Sequence, residues 1–270
     1  MVEISKKYKI GKRRFGLVNW YGTWTLYKKE VLRFLIVWIQ TIFSPLISSL
    51  LFLLVLSLAI GADRGDVLGV PFITFLAPGL ISMQVIQQSF SHSSSSFMIG
   101  KIQGNIVDIL YAPLSPGEVI TAVTLAAVTR SVMIAFITII IFYFIIDFEI
   151  KNYFTLIFFT FFSSFILGAL GVIAGLWAEK FDHMATVTNF IIVPLSFLSG
   201  TFYSVEKLPS SLYTLSHYNP FFHMIDGFRY SFIGSMDGSI KFGIFYLVFL
   251  SILTWVIAFL LYKKGYKIKS

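Results

Sequence analysis

Residues 242–262 run without a single charged side chain, and five more stretches of similar character precede them. A bilayer core about 30 Å thick takes about 20 apolar residues of helix to cross. Lipid offers no water to backbone N–H and C=O groups, so each stretch must pair those groups within itself as a helix. The expectation is an all-α polytopic membrane protein with six transmembrane helices. They fall near residues 34–60, from 71 onward, and near 119–146, 153–177, 184–203 and 242–262. Composition agrees, because 57% hydrophobic and 13% charged residues exceed what a soluble domain can bury. Six spans in 270 residues leave little for a separate soluble domain. Residues 1–33 read as a cytosolic arm and interfacial helix, and 34–270 as one six-span transmembrane domain.

Charge placement orients the spans. Of the 21 Lys and Arg, fifteen lie on one proposed face, five on the other, and Arg130 lies inside span three. The excess of positive charge predicts both termini in the cytosol. The net charge of +8 is then topology and lipid contact, and no nucleic-acid partner is expected. The early sequence is basic and polar with no apolar core before residue 31, so no cleavable signal peptide is expected. With no cysteine, disulfides and thiol-held metals are excluded.

Local signals mark the helix ends. Residues 17–33 carry Leu17, Trp20, Tyr21, Trp24, Tyr27 and Val31 at three- and four-residue spacing, with Lys28, Lys29 and Arg33 off that stripe. That pattern suits a helix lying in the lipid headgroup layer. Residues 99–112 form a short amphipathic helix with Ile102, Ile106, Ile109 and Leu110 on one side. Ser115-Pro116-Gly117-Glu118 spells a capping box with proline at the first helical position. Gly171 and Gly175 would let two helix backbones approach closely. Between spans five and six, Asn219-Pro220 and Leu208-Pro209-Ser210 open two helices too short to cross a bilayer, a re-entrant pair.

Chemistry is sparse. No phosphate-cradling loop, zinc-helix pattern or nucleophile elbow is present, so no catalytic, metal or cofactor-binding residue is assigned. All thirteen Asp and Glu read as loop, terminus or span-end residues. Gln84, Gln88, Ser91 and Ser95 share one face of span two, and with Arg130 they form a polar site that either lines a pathway or joins helices. The Glu179–Lys180–Phe181–Asp182–His183 run is read as a tight inner loop.

The run Phe197-Leu198-Ser199-Gly200-Thr201-Phe202-Tyr203, with Leu208-Pro209, Asn219-Pro220-Phe221 and Asp226-Gly227-Phe228-Arg229, resembles the C-terminal signature of the type-2 family of ABC export permeases. Ala112-Pro113-Leu114-Ser115-Pro116 resembles the same family's stretch before its third span. The resemblance implies the membrane-spanning subunit of an ATP-driven exporter in a bacterial inner membrane, working as a dimer of permease chains. It is not expected to be an enzyme itself, since ATP and magnesium would sit on a separate ABC ATP-binding subunit. Residues 104–110 (Gly104, Asn105, Ile106, Val107, Asp108, Ile109, Leu110) would be the coupling helix, its Ile106, Ile109 and Leu110 docking into that subunit. Tyr213, Tyr218, Asn219, Pro220, Phe221, Phe222 and Phe228 would form an outer gate. The alternative from the residues alone is a polytopic membrane enzyme or a stand-alone secondary carrier.

Overall fold

The computed structural model describes residues 16, 18–59, 65–146 and 149–268. The basic arm at 1–14, Leu17, and Asp147 with Phe148 lie outside them. Among the described residues the regular structure is helical, apart from a single bridge between Val67 and Val70. The helices are α1 (Trp20–Ile36), α2 (Ile39–Ala59), α3 (Phe72–Ile102), α4 (Ile106–Tyr111), α5 (Pro116–Tyr143), α6 (Tyr153–Trp177), α7 (Phe181–Leu198), α8 (Ser210–Tyr218), α9 (Pro220–Ile233) and α10 (Ile240–Lys263). Among the described residues five are long and apolar enough to cross a membrane: α2, α5, α6, α7 and α10. The helix α3, with 31 residues, is about 46 Å long at 1.5 Å per residue. Glutamines and serines from Gln84 to Ser96 dilute its apolar character.

Prolines shape two of these helices. Pro45 and Pro194 each follow a wide π turn, at Ile39–Phe43 and Thr188–Ile192. A proline ring clashes with the carbonyl four residues back and offers it no N–H, and a wider turn absorbs both problems. The π turns shift element boundaries relative to the sequence reading. α1 continues past Phe34 to Ile36, so the first apolar span begins at Ile39, and the fifth ends at Leu198 rather than at 203. The expected helix over 99–112 is also shorter. α3 runs to Ile102, Gly104 turns with φ +76°, and α4 starts at Ile106.

α3 is the axis of the bundle and packs on α2, α5, α6 and α9. Gly171 and Gly175 do what their spacing suggested. A Cβ on Gly171 would stand 2.5 Å from the Phe90 carbonyl oxygen, and one on Gly175 2.8 Å from that of Ser94. α6 thus rests directly on the α3 backbone. α9, with 14 residues, lies almost wholly buried against α3, α6 and α10. Its Phe221, Met224, Ile225, Phe228 and Phe232 join Phe75, Leu76, Leu80 and Phe159 in one apolar core.

Candidate functional site

The signature motifs meet at one end of the bundle. Asn219 caps α9 by accepting from the Phe221 N–H at 3.0 Å, and its amide donates to Ser199 Oγ at 2.8 Å. Pro220 follows at the first helical position, as the sequence indicated. Nearly two turns on, Asp226 accepts from the Asp237 and Gly238 N–H groups at 3.1 and 2.8 Å. Asp237 in turn accepts from Ser204 Oγ and the Val205 N–H, both at 2.8 Å. Arg229 is 1% exposed. Its Nη2 donates to the carbonyls of Gly200 (2.7 Å) and Thr201 (3.3 Å), and its Nε to that of Phe75 (3.3 Å). The guanidinium also stacks 3.9 Å from the Phe75 ring centre. Three carbonyls on two elements are served by one planar fork, a task suited to arginine and not to lysine. Ser199-Gly200-Thr201 and Asp226-Gly227-Phe228-Arg229 are therefore two halves of one joint that ties α7, α9 and α3 together.

A second polar seam joins α1, α3 and α5. Glu30 is 2% exposed and accepts from Arg33 Nε at 3.0 Å and Ser96 Oγ at 2.8 Å. Arg33 also reaches the His92 carbonyl at 2.9 Å and Ser95 Oγ at 3.3 Å. The polar end of α3 thus receives α1. Farther along, Arg130 Nη2 donates to Gln88 Oε1 and links α5 to α3. His92 lies between, with its Nε2 3.8 Å from Glu30, too far for a hydrogen bond. Gln84 is buried on the same helix, Gln88 and Ser95 are half-buried, and Ser91 is exposed.

The two polar sites correct one expectation. Glu30 and Asp226 were read as peripheral acids, and both are buried within helices. The aromatic residues Trp20, Tyr21 and Trp24 of α1 are exposed, as a helix in the headgroup layer requires, Tyr27 and Val31 are half-buried, and the buried line is Leu26, Glu30 and Phe34. Four-residue spacing with apolar neighbours on each side was the signal that could have found Glu30.

The α4 end holds a third constellation. Glu118 completes the expected capping box, accepting from the Ser115 N–H at 2.6 Å while Ser115 Oγ accepts from the Glu118 N–H. Its other oxygen accepts from the Asn19 N–H at 2.7 Å, so one carboxylate caps α5 and anchors the start of α1. A groove of about 360 Å³ lies between α1 and α4, lined by Tyr21, Thr25 and Lys29 on one side and Asp108, Ile109 and Leu114 on the other. Within the coupling-helix stretch the structure separates the residues. Ile106 is 4% exposed and packs into the bundle with Leu26 and Phe97, so it is not free to dock elsewhere. Gly104, Asn105, Val107, Asp108 and Leu110 are exposed, Ile109 is half-buried, and the neighbouring Tyr111 is 86% exposed. The residues assigned to an outer gate also divide: Tyr213 and Tyr218 are exposed, while Asn219, Phe221, Phe222 and Phe228 are buried and Pro220 is half-buried.

Beside α4, Lys101 donates to the Leu176 carbonyl at 2.8 Å and to that of Ala178, closing the C-terminus of α6. Lys267 pairs with Glu179 at 2.6 Å. That hydrogen bond and the lysine charge hold the Glu179 carboxyl below its usual range, and the same bond holds Lys267 above its own. Glu179 contributes above the ordinary glutamate value and stops contributing as pH falls through its lowered value. Lys267 contributes below the ordinary lysine value, and that contribution is lost as pH rises through its raised value. The pin is therefore expected to hold at neutral pH and to release in acid, as pH falls through the lowered value of Glu179. Hydrogen-exchange protection factors at residues 266–268 should drop in acid for the native chain and be low throughout in Lys267→Ala. Protection that ignores both changes would show that the pair holds nothing.

The sequence matches the family described as ABC-2 type transporter over residues 21–233. The Escherichia coli (strain K12) protein called inner membrane transport permease YadH is 31% identical over 253 residues, spanning 93% of this chain and 98% of that one. Nodulation protein J of Neorhizobium galegae is 24% identical over 224 residues, covering 81% and 83% of the two chains. The Rhizobium leguminosarum bv. viciae protein of that name is 23% identical over 229 residues, covering 81% and 84%.

Proposed function

The chain belongs to the ABC-2 type transporter family, and from that premise we propose that it is the permease subunit of an ATP-driven exporter in a bacterial inner membrane. On this reading α2, α3, α5, α6, α7 and α10 are the six spans, and both termini face the cytosol. ATP and magnesium are held by a separate ATP-binding subunit and not by this chain. That subunit meets α4 and the groove beside α1, and nucleotide-driven closure moves α3 and α5 through the short links at residues 103–105 and 112–115. α8 and α9 form the re-entrant pair, with Tyr213 and Tyr218 at the outer mouth. Two permease chains pair through α7, the candidate span least covered by its own bundle.

The observation that carries the reading is the placement of α4. It stands beyond the ends of α3 and α5 with Val107, Leu110 and Tyr111 exposed and a largely apolar groove at its side. Exposed apolar residues on a six-residue helix suit a partner surface.

Mild-detergent purification of the tagged chain, followed by mass spectrometry and an ATPase assay, tests this. An ATP-binding subunit should be recovered in equal amount. Leu110→Asp with Tyr111→Ser should lower its recovery roughly 30-fold, as the loss of an interface contact worth about 2 kcal/mol would, without changing the chain's own melting temperature. Ile106→Asp should instead lower the melting temperature, because it places a charge in the chain's own core. A lone chain with no ATPase would favour the secondary carrier or membrane enzyme.

A further inference from the structure

Arg130 is 8% exposed in the middle of α5, roughly 21 Å along the axis from Pro116 at 1.5 Å per residue. Among the described residues its side chain has one hydrogen-bond partner, the neutral amide oxygen of Gln88, and its Nε has none. The carboxylate of the seam, Glu30, is already occupied by Arg33 and Ser96. Among the described residues two guanidinium charges therefore share the seam with one carboxylate, and Arg33 and Arg130 act through space on each other and on His92. His92 lies one turn from Gln88 on the same side of α3, is fully buried, and neither ring nitrogen has a hydrogen-bond partner. A desolvated cation facing only an amide is strongly disfavoured unless something compensates it. An anion would supply that compensation. The seam is reachable, since Gln88 is half-buried and Ser91, on the same face, is exposed.

We propose that Arg130, with Gln88 and His92, binds a phosphate-class oxyanion at this depth of the bundle. The oxyanion is either the headgroup of an anionic lipid or a free phosphate group. Phosphate oxygens match the rigid donor fork of arginine, and the negative charge cancels the excess of the seam. This goes beyond the transport reading and does not rest on it, because it needs neither an ATP-binding subunit nor turnover.

The test is thermal unfolding of the purified full chain in neutral detergent, with phosphatidylglycerol, phosphatidylcholine or inorganic phosphate added. Phosphatidylglycerol at a hundredfold excess over its Kd should raise the midpoint by about 5–10 °C, and net-neutral phosphatidylcholine should not. Arg130→Met should lose that increment. With no anion present, the same variant should melt no lower than the native chain, because it removes an uncompensated charge. An arginine with a purely structural role would give a lower midpoint. If Arg130→Met does not fold, Arg130→Lys carries the test: it keeps the charge without the fork, and its response should be weakened. A response to inorganic phosphate alone assigns a free oxyanion, and a response to the lipid alone assigns a headgroup. No response to either, or an equal response in the native chain and the Arg130 variants, overturns the proposal.

Discussion

Arg229→Met should leave the chain unable to hold α7, α9 and α3 in register, at an expected cost of about 3–5 kcal/mol. That range is typical when one member of a buried charged network is removed and the rest stays. Three backbone carbonyls, of Gly200, Thr201 and Phe75, would lose the donor that serves them. Asp226 and Asp237 would sit in a buried site without the nearby guanidinium. Nothing else on the described surface of that joint can substitute, because methionine carries no donor. Arg229→Lys should recover part of the loss, since an ammonium restores charge but cannot address three carbonyls in one plane. The measurement is the unfolding midpoint and the monodisperse yield of the two variants against the native chain. A native-like midpoint in Arg229→Met would show that the joint contributes little and that Asp226 and the Asn219 cap suffice alone.

Gly227→Ala should be the next most damaging single change, for a steric reason. A Cβ at Gly227 would lie 2.1 Å from Phe159 Cε1, 2.3 Å from Cζ and 2.4 Å from Cδ1. No Cβ atom tolerates such contacts, and Phe159 has no free space into which to turn: it is fully buried, with Phe158 against it. Overpacking of this kind typically costs 1–3 kcal/mol, and about 3 is expected here because both partners sit on packed helices. The cause can be isolated with a double-mutant cycle. Phe159→Leu alone should destabilise by leaving a cavity, yet combined with Gly227→Ala it should cost less than the two single effects added. A coupling of about 0.5–3 kcal/mol in the favourable direction is expected. Strict additivity would place the damage elsewhere than in the ring contact.

Both predictions rest on residues that the sequence reading had singled out as part of a signature, without a reason for their identity. The packing supplies the reason. Asp226, Gly227 and Arg229 are one helical turn doing three jobs: capping the loop at 237–238, admitting the Phe159 ring, and binding the 200–201 turn. Small alterations there propagate to two helices, whereas the neighbouring Tyr213 and Tyr218 stand in the open.

What the sequence determined by itself was everything that depends on near neighbours along the chain. α6 begins and ends at the predicted residues, 153 and 177, because its apolar run is bounded on both sides by polar turns. The Ser115–Glu118 box and the Asn219-Pro220 start formed as read, since caps close within three residues. The Gly171–Gly175 pair did meet a helix backbone. Boundaries slipped where Pro45, Pro194 and Gly104 brought a wide turn or a left-handed residue, which hydropathy does not register, and α5 ended at Tyr143 rather than at 146.

Only the tertiary structure decided which face of each element is inside. Amphipathic spacing on α1 picked out a real stripe, and its Trp20, Tyr21 and Trp24 face outward as a helix in the headgroup layer requires, but the spacing did not show which residues face the bundle. The seam instead took Leu26, Glu30 and Phe34, since Ser96 and Arg33 were there to satisfy the carboxylate. Ile106 turned inward for a similar reason, finding Leu26 and Phe97 across the gap. Burial of a polar or apolar side chain depends on partners far away in sequence, and a single chain read in order does not contain their positions.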